Sequence, residues 1–201
     1  MSLTGRGSPV LHVIVCGSPL ARDIGEVLRS AVSNGWDVWT VATPHGVRFF
    51  DVDEAERITG HPVHSRYRRP EDPPDLPLAD AVVAVPATFN TVNKWVAGVS
   101  DTLALGVLTE ALGMGLPIVA VPYSNRAHAA HPALAASVDR LREWGVVVLY
   151  GDDFYRLHEP RAGAAGSGGF PWGRVRSAIE DMRRRDLLTR RRAVCGGKQA
   201  R

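Results

Sequence analysis

A chain of 201 residues with 45% hydrophobic and 22% charged side chains is composed like an ordinary globular protein, long enough for one domain with a sizeable core. The net charge of +3 does not mark a nucleic-acid partner: the basic surplus is concentrated in 174–201, around Arg183-Arg184-Arg185 and Arg190-Arg191-Arg192, with no helix-turn-helix, RNA-binding or zinc-finger pattern. No apolar run approaches the ~20 residues that span a bilayer, and the start has no apolar signal core, so no membrane partner and a cytoplasmic location are expected. Cys16 and Cys195 make neither a disulfide framework nor a metal-ligand pattern.

Residues 1–9 read as a disordered lead-in. Val10–Cys16 (VLHVIVC) is a short apolar run of the kind that forms a strand buried on both faces. Gly17-Ser18-Pro19-Leu20 turns the chain, and Ile24, Val27, Leu28 and Ala31 recur at helical spacing over 21–34, with Gly35 as the stop. Gly17 and Ser18 have two readings here: a phosphate-contacting loop, with a close backbone approach and a hydroxyl, or a plain turn between strand and helix. Trp36–Ala42 is the second strand, closed by Thr43-Pro44-His45-Gly46, in which His45 reads as a solvated loop residue or as one that reaches the same pocket as Thr43. The stretch 61–77 (HPVHSRYRRPEDPPDLP) is proline-rich and charged; Arg66, Arg68 and Arg69 either face solvent or meet a carboxylate or phosphate.

Ala81–Val85 is a third buried strand, ended by Pro86. Small and polar residues follow (Ala87, Thr88, Asn90, Thr91), then a helical crossover carrying Lys94, a surface charge, and Trp95, a core or interface residue. Pro117–Val121 closes the unit as a fourth strand and leads into Pro122 and Asn125. Such a unit gathers polar side chains at the carboxyl ends of parallel strands, where open sheets bind ligands. Turn N–H groups and the positive end of the next helix can hold a phosphate there. Asn90 and Thr91 equally read as helix caps. Pro132–Trp144 is an amphipathic helix stopped at Gly145, Val146–Tyr150 a last strand, and 162–169 (AGAAGSGG) either a lid hinge or a linker. A charged helix over 174–188 finishes the fold.

Pro86-Ala87-Thr88-Phe89-Asn90-Thr91, followed by Gly98-Val99-Ser100-Asp101-Thr102-Leu103, closely resembles the P-A-S-A-N-T … G-x-A-D-N-L signature of the FMN-dependent cysteine decarboxylase flavoproteins. That family includes phosphopantothenoylcysteine decarboxylase and the peptidyl-cysteine decarboxylases of lantibiotic biosynthesis; flavin prenyltransferases are relatives with different chemistry. The resemblance runs from Leu11 to Leu149 in order and spacing. It implies a three-layer α/β/α, Rossmann-like (flavodoxin-like) fold with a mainly parallel sheet. The single domain would span 10–190, with a glycine-rich flap over 159–173 and a basic tail over 191–201. Val47–Ile58 resembles the family's next helix, with Phe49 and Phe50 as core or flavin-edge packing.

The resemblance also implies FMN as cofactor and no metal. Gly17 and Ser18 would line the FMN site, and Thr43 would contact its phosphate or ribityl chain. Pro86 and Ala87 would let the flat ring lie against the backbone. Thr88, Asn90 and Thr91 would hydrogen-bond ring or phosphate, and Asp101 and Thr102 match the Asp-Asn pair of the signature. The histidine that acts at the substrate falls at His64, with His61 as the alternative. Of the P-x-M-N-x-x-M-W clamp, Pro122 and Asn125 match, while Ser124, His128 and Ala129 replace the two methionines and the tryptophan. His128 and His131 lack the further ligands a metal site needs.

The implied function is flavin-dependent decarboxylation of a cysteine-like or other small thiol carboxylate, free or peptidyl. Asn125 would hold the carboxylate and His64 would act as base. A homotrimer or higher homo-oligomer is implied, with Trp95 and the PATFNT helix as candidates for the contact. Two alternatives stay open: a catalytically silent FMN-binding or regulatory subunit, which the altered clamp favours, and a flavin prenyltransferase-like enzyme using Arg126 and a C-terminal arginine.

Overall fold

Five strands form one wholly parallel sheet in the order β2-β1-β3-β4-β5. They are β1 (Val10–Val15), β2 (Asp37–Ala42), β3 (Ala81–Ala87), β4 (Ile118–Pro122) and β5 (Val147–Val148). The computed structural model describes residues 7–73, 75–162 and 169–196, with side chains through Arg184. The expected lead-in through residue 6, the core of the expected flap (163–168) and the end of the basic tail (197–201) lie outside the described residues. Every residue of β3 and β4 is buried, as strands covered on both faces must be.

Alternation along the strands divides the core into two layers. Leu11, Val13 and Val15 of β1 pack with α1 (Gly25–Ser33), α2 (Val52–Thr59) and α7 (Trp172–Gly196). Ile14 and Cys16 pack on the other side with α3 (Phe89–Val96), α4 (Leu103–Gly113) and α6 (Pro132–Glu143), the last preceded by the short α5 (Arg126–Ala129). The three-layer α/β/α arrangement is therefore the one expected. Trp95, 2% exposed within the second layer, belongs to the core and has no surface to offer a subunit contact. Among the described residues no helix is long and apolar enough to cross a membrane.

Several boundaries differ from the sequence expectation, each for a local reason. The first helix opens as a 3-10 turn over Pro19–Asp23, with proline at the start where its missing N–H costs nothing, and becomes α-helical at Gly25. The expected helix over 47–58 is two pieces, a 3-10 turn at Gly46–Arg48 and then α2. Asp51 starts α2 afresh by accepting the Glu54 N–H at 2.9 Å. Strand β3 does not stop at Pro86, because a proline loses only its donor: the Pro86 carbonyl still accepts the Cys16 N–H at 3.1 Å. The register with β4 shifts between Ala84 and Ala87, so Val85 joins one core layer and Ala87 the other. The single crossover helix is in fact α3 and α4, parted by Gly98 at φ +73° and capped anew at Thr102. The last strand is only Val147–Val148, and α7 begins at Trp172 rather than Arg174.

Candidate functional site

The chain goes from β1 to β2 on one side and then returns to β3 on the other side of β1, which makes a switch point between β1 and β3. Ligands in such sheets sit beyond the carboxyl ends of the strands at that point. A cavity of about 720 Å3 lies there, within the range of small-molecule sites. Gly17 and Ser18 reach it from the end of β1, Thr43 from β2, and Thr88, Asn90 and Thr91 from β3; Asp101 and Thr102 come from the start of α4, and Asn125 from β4. Pro86 and Ala87 are strand residues that do not line it.

Capping side chains build much of the wall. Thr88 Oγ1 accepts the Thr91 N–H at 3.4 Å, Thr102 Oγ1 accepts the Leu105 N–H at 3.3 Å, and Asn125 Oδ1 accepts the His128 N–H at 2.8 Å. The capping and ligand-site readings thus describe the same residues, since a capped helix start is also where N–H groups face outward. Thr43 Oγ1 accepts the Gly46 N–H at 3.1 Å. Ser18 differs from these: the residue lines the cavity, and its hydroxyl is buried with no hydrogen-bond partner among the described residues. A buried hydroxyl left unpaired costs free energy unless a ligand supplies its partner. Beside it Gly17 approaches Phe49 so closely that an added Cβ would meet the ring at 3.1 Å.

A model of the Flavoprotein family matches residues 4–175. The chain belongs to the flavoprotein family. It is 30% identical over 139 residues to the coenzyme A biosynthesis bifunctional protein CoaBC of Mycolicibacterium smegmatis, covering 67% of this chain and 33% of that protein. With the protein of that name from Thermococcus kodakarensis it shares 27% identity over 135 residues, 65% of this chain and 33% of the relative. The chain thus spans about a third of the length of these curated relatives. Its fold is similar to that of the FMN-dependent cysteine decarboxylase SpaF, with a TM-score of 0.66, 24% identity, and coverage of 87% of this chain and 97% of the other.

In this flavoprotein the wall after β4 is polar. Ser124 donates its N–H to Tyr155 Oη at 2.9 Å, and its hydroxyl lies 2.8 Å from Tyr150 Oη. Burial pushes both phenols above their ordinary range, so they stay neutral hydrogen-bonding groups. With Asn125 Oδ1 committed to the helix cap, the network assigns the Asn125 amide nitrogen as a free donor. A free NH2 group on a residue that lines the cavity suits a carboxylate.

Neither expected histidine lines the cavity. His64 bridges Val41 at the edge of β2, with its ring 5.8 Å from Trp39 and Nδ1 3.5 Å from Asp75. His61 stacks on Trp39 at 3.8 Å and holds Asp37 Oδ1 at 2.6 Å. Arg68 is tied into its own loop, donating to the Asp72 carbonyl. His45, His128 and His158 do line the cavity, and the His128 ring is stacked on Phe89 at 5.1 Å. Lys94 lines it too, paired with Asp101 at 2.5 Å, rather than being a mere surface charge. Its spacing from Asn90 and Thr91 on one helix face was the available signal. His131 Nδ1 accepts the Ala133 N–H at 3.1 Å and caps α6. Cys16 is free and buried, its thiol pushed up by desolvation. Among the described residues no group of His, Cys, Asp or Glu could hold a metal ion.

Proposed function

We propose that this flavoprotein binds FMN in the switch-point cavity and decarboxylates a cysteine-like or other small thiol carboxylate, free or at the end of a peptide. The observation that carries the proposal is the convergence of Gly17, Ser18, Thr43, Thr88, Asn90 and Thr91 on one cavity, with the Ser18 hydroxyl buried there and unpartnered. The donor set fits the group. Gly17, Ser18 and Thr43 would hold its phosphate and ribityl chain. Thr88, Asn90, Thr91, Asp101 and Thr102 would hydrogen-bond its polar edges, while Pro86 and Ala87 lie in β3 behind these residues without lining the cavity. When bound, FMN supplies a two-electron acceptor for the thiol-bearing part of the substrate.

The chain's own residues do the rest. Asn125 presents its amide NH2 to the substrate carboxylate, in an orientation fixed by the cap to His128. Tyr150 and Tyr155 hold the preceding Ser124 from behind, so the turn cannot relax away from the cavity. His64, the base implied by resemblance, stands outside the cavity in its own protomer. A homotrimer or higher homo-oligomer in the cytoplasm belongs to the same reading. Tyr67, Leu78 and Met114, exposed and gathered along one groove beside α4, are apolar surface of the kind that self-association covers. The relatives described above are a cysteine decarboxylase and coenzyme A biosynthesis proteins; no observation of this structure favours a silent subunit or a prenyltransferase.

The test is the absorption spectrum of the purified protein and the mass of the released chromophore, followed by CO2 release from short peptides ending in cysteine. FMN together with CO2 release is expected. A colourless protein that takes up no added FMN would sink the proposal at its base.

A further inference from the structure

We infer that His158 is the catalytic base that takes the proton from the substrate thiol, an assignment that rests on the decarboxylase reading above. Its place comes first. His158 lines the 720 Å3 cavity and also lines a neighbouring cavity of about 390 Å3 walled by Arg126, Tyr155, Arg156 and Phe170. Among the described residues no other lines both. A substrate whose reactive end meets the flavin and whose remainder lies in the smaller cavity passes this ring.

The ring's own hydrogen bond also sets its tautomer. His158 Nδ1 lies 2.9 Å from the Glu159 carbonyl oxygen. A carbonyl only accepts, so Nδ1 carries the hydrogen, and in the neutral ring Nε2 carries the free lone pair. That lone pair is what a base needs. His45 and His128, by contrast, are exposed, with His128 stacked on Phe89, and His64 stands outside the cavity in its own protomer.

Finally, the base is tied to the carboxylate holder. Asn125 and His158 form a parallel β-bridge, and the Arg126 N–H donates to the His158 carbonyl at 2.9 Å. The Tyr123 ring lies against the imidazole at 5.2 Å between centroids. One backbone bridge therefore sets both the group that grips the carboxylate and the group that faces the thiol of the same cysteine-like end. In the step itself the S–H bond breaks and its electron pair stays on sulfur. The proton forms an Nε2–H bond, leaving a thiolate beside an imidazolium. No electrons change hands in this step; it delivers the electron-rich thiolate from which oxidation proceeds.

Two measurements test the assignment. Long-range proton–nitrogen NMR of the protein as purified, with the His158 signals assigned against His158→Gln, is expected to show the neutral ring as the Nδ1–H tautomer. An Nε2–H tautomer would overturn it. With FMN bound and a short peptide ending in cysteine as probe, His158→Gln is expected to keep the flavin spectrum and a KM near that of the wild type. Its kcat should fall by ~100-fold or more, the usual scale for loss of a general base. His158→Gly should regain part of the lost rate when imidazole is added, which no structural role for the side chain would produce. Undiminished turnover by His158→Gln overturns the assignment and leaves the decarboxylase reading standing. Wild-type protein that binds FMN but releases no CO2 from the probe defeats both.

Discussion

Asn125 Oδ1 accepts the backbone N–H of His128 at 2.8 Å, and this bond commits the oxygen of a cavity-lining carboxamide and leaves its NH2 as the half open to a ligand. It separates two roles that an alanine substitution would remove together. Asn125→Asp keeps an oxygen for the cap but replaces the NH2 donor with a negative charge facing a substrate carboxylate. Its melting temperature and FMN content should match the wild type, while kcat/KM falls by ~100-fold or more. Asn125→Ala should lose turnover as well and in addition ~1 kcal/mol of stability with the cap. Calorimetry and CO2 release on the two variants check both halves; an Asn125→Asp protein of full activity would remove the carboxylate role.

Ser18 gives a prediction of opposite sign for the free and loaded protein. Its buried hydroxyl has no partner, so Ser18→Ala should leave the FMN-free protein as stable as the wild type or slightly more so. Its FMN affinity should drop by ~10-fold, the scale of one hydrogen bond to a charged group. Fluorescence titration of the FMN-free protein with FMN reads the affinity, and thermal unfolding reads the stability.

The strands were legible because a parallel strand covered on both faces is a continuous apolar run, and Leu11, Val83 and Val119 sit in such runs. Most of the cavity wall was legible for a related reason: its residues follow directly on those strands. What escaped depends on contacts distant in sequence. His158 is brought beside Asn125 by a backbone bridge that no local pattern announces. His64 was placed by its position relative to the family pattern, whereas the fold commits its backbone to β2, where the Ala42 N–H donates to the His64 carbonyl at 2.7 Å. The strand's continuation through Pro86 was hidden because sequence rules weigh the lost donor and not the retained acceptor.

Gly46 follows the second strand's turn at a point of backbone contact. A Cβ there would stand 2.5 Å from the Val15 carbonyl oxygen and 2.8 Å from Thr43 Oγ1. The carbonyl belongs to the strand ladder, where the Thr43 N–H donates to it at 2.9 Å, so it cannot step aside cheaply. Gly46→Ala should therefore destabilise by ~1–3 kcal/mol, as overpacking at a tight contact does, and should displace Thr43 within the cavity wall. Denaturant unfolding gives the first quantity, and weakened FMN binding reports the second. A variant as stable as the wild type would mean that the turn relaxes freely.

His12 lies in β1, 3% exposed, with both ring nitrogens buried. Burial, opposed in part by the nearby Pro77 carbonyl, lowers its pKa from 6.5 to about 4. In the unfolded chain the ring takes up its proton near pH 6.5, whereas in the folded protein it does so only near pH 4. Between those values the unfolded state binds more protons, so stability rises with pH across the window. The contribution is complete above about pH 6.5 and is lost as pH falls toward about 4, where it levels off. Its full size is on the order of 3 kcal/mol. Urea unfolding of the wild type and of His12→Phe at a series of pH values isolates it, because every other titrating group is shared. The difference between the two curves should change with pH between about 6.5 and 4 and stay flat above. A constant difference throughout would mean that the folded protein already accommodates a charged His12.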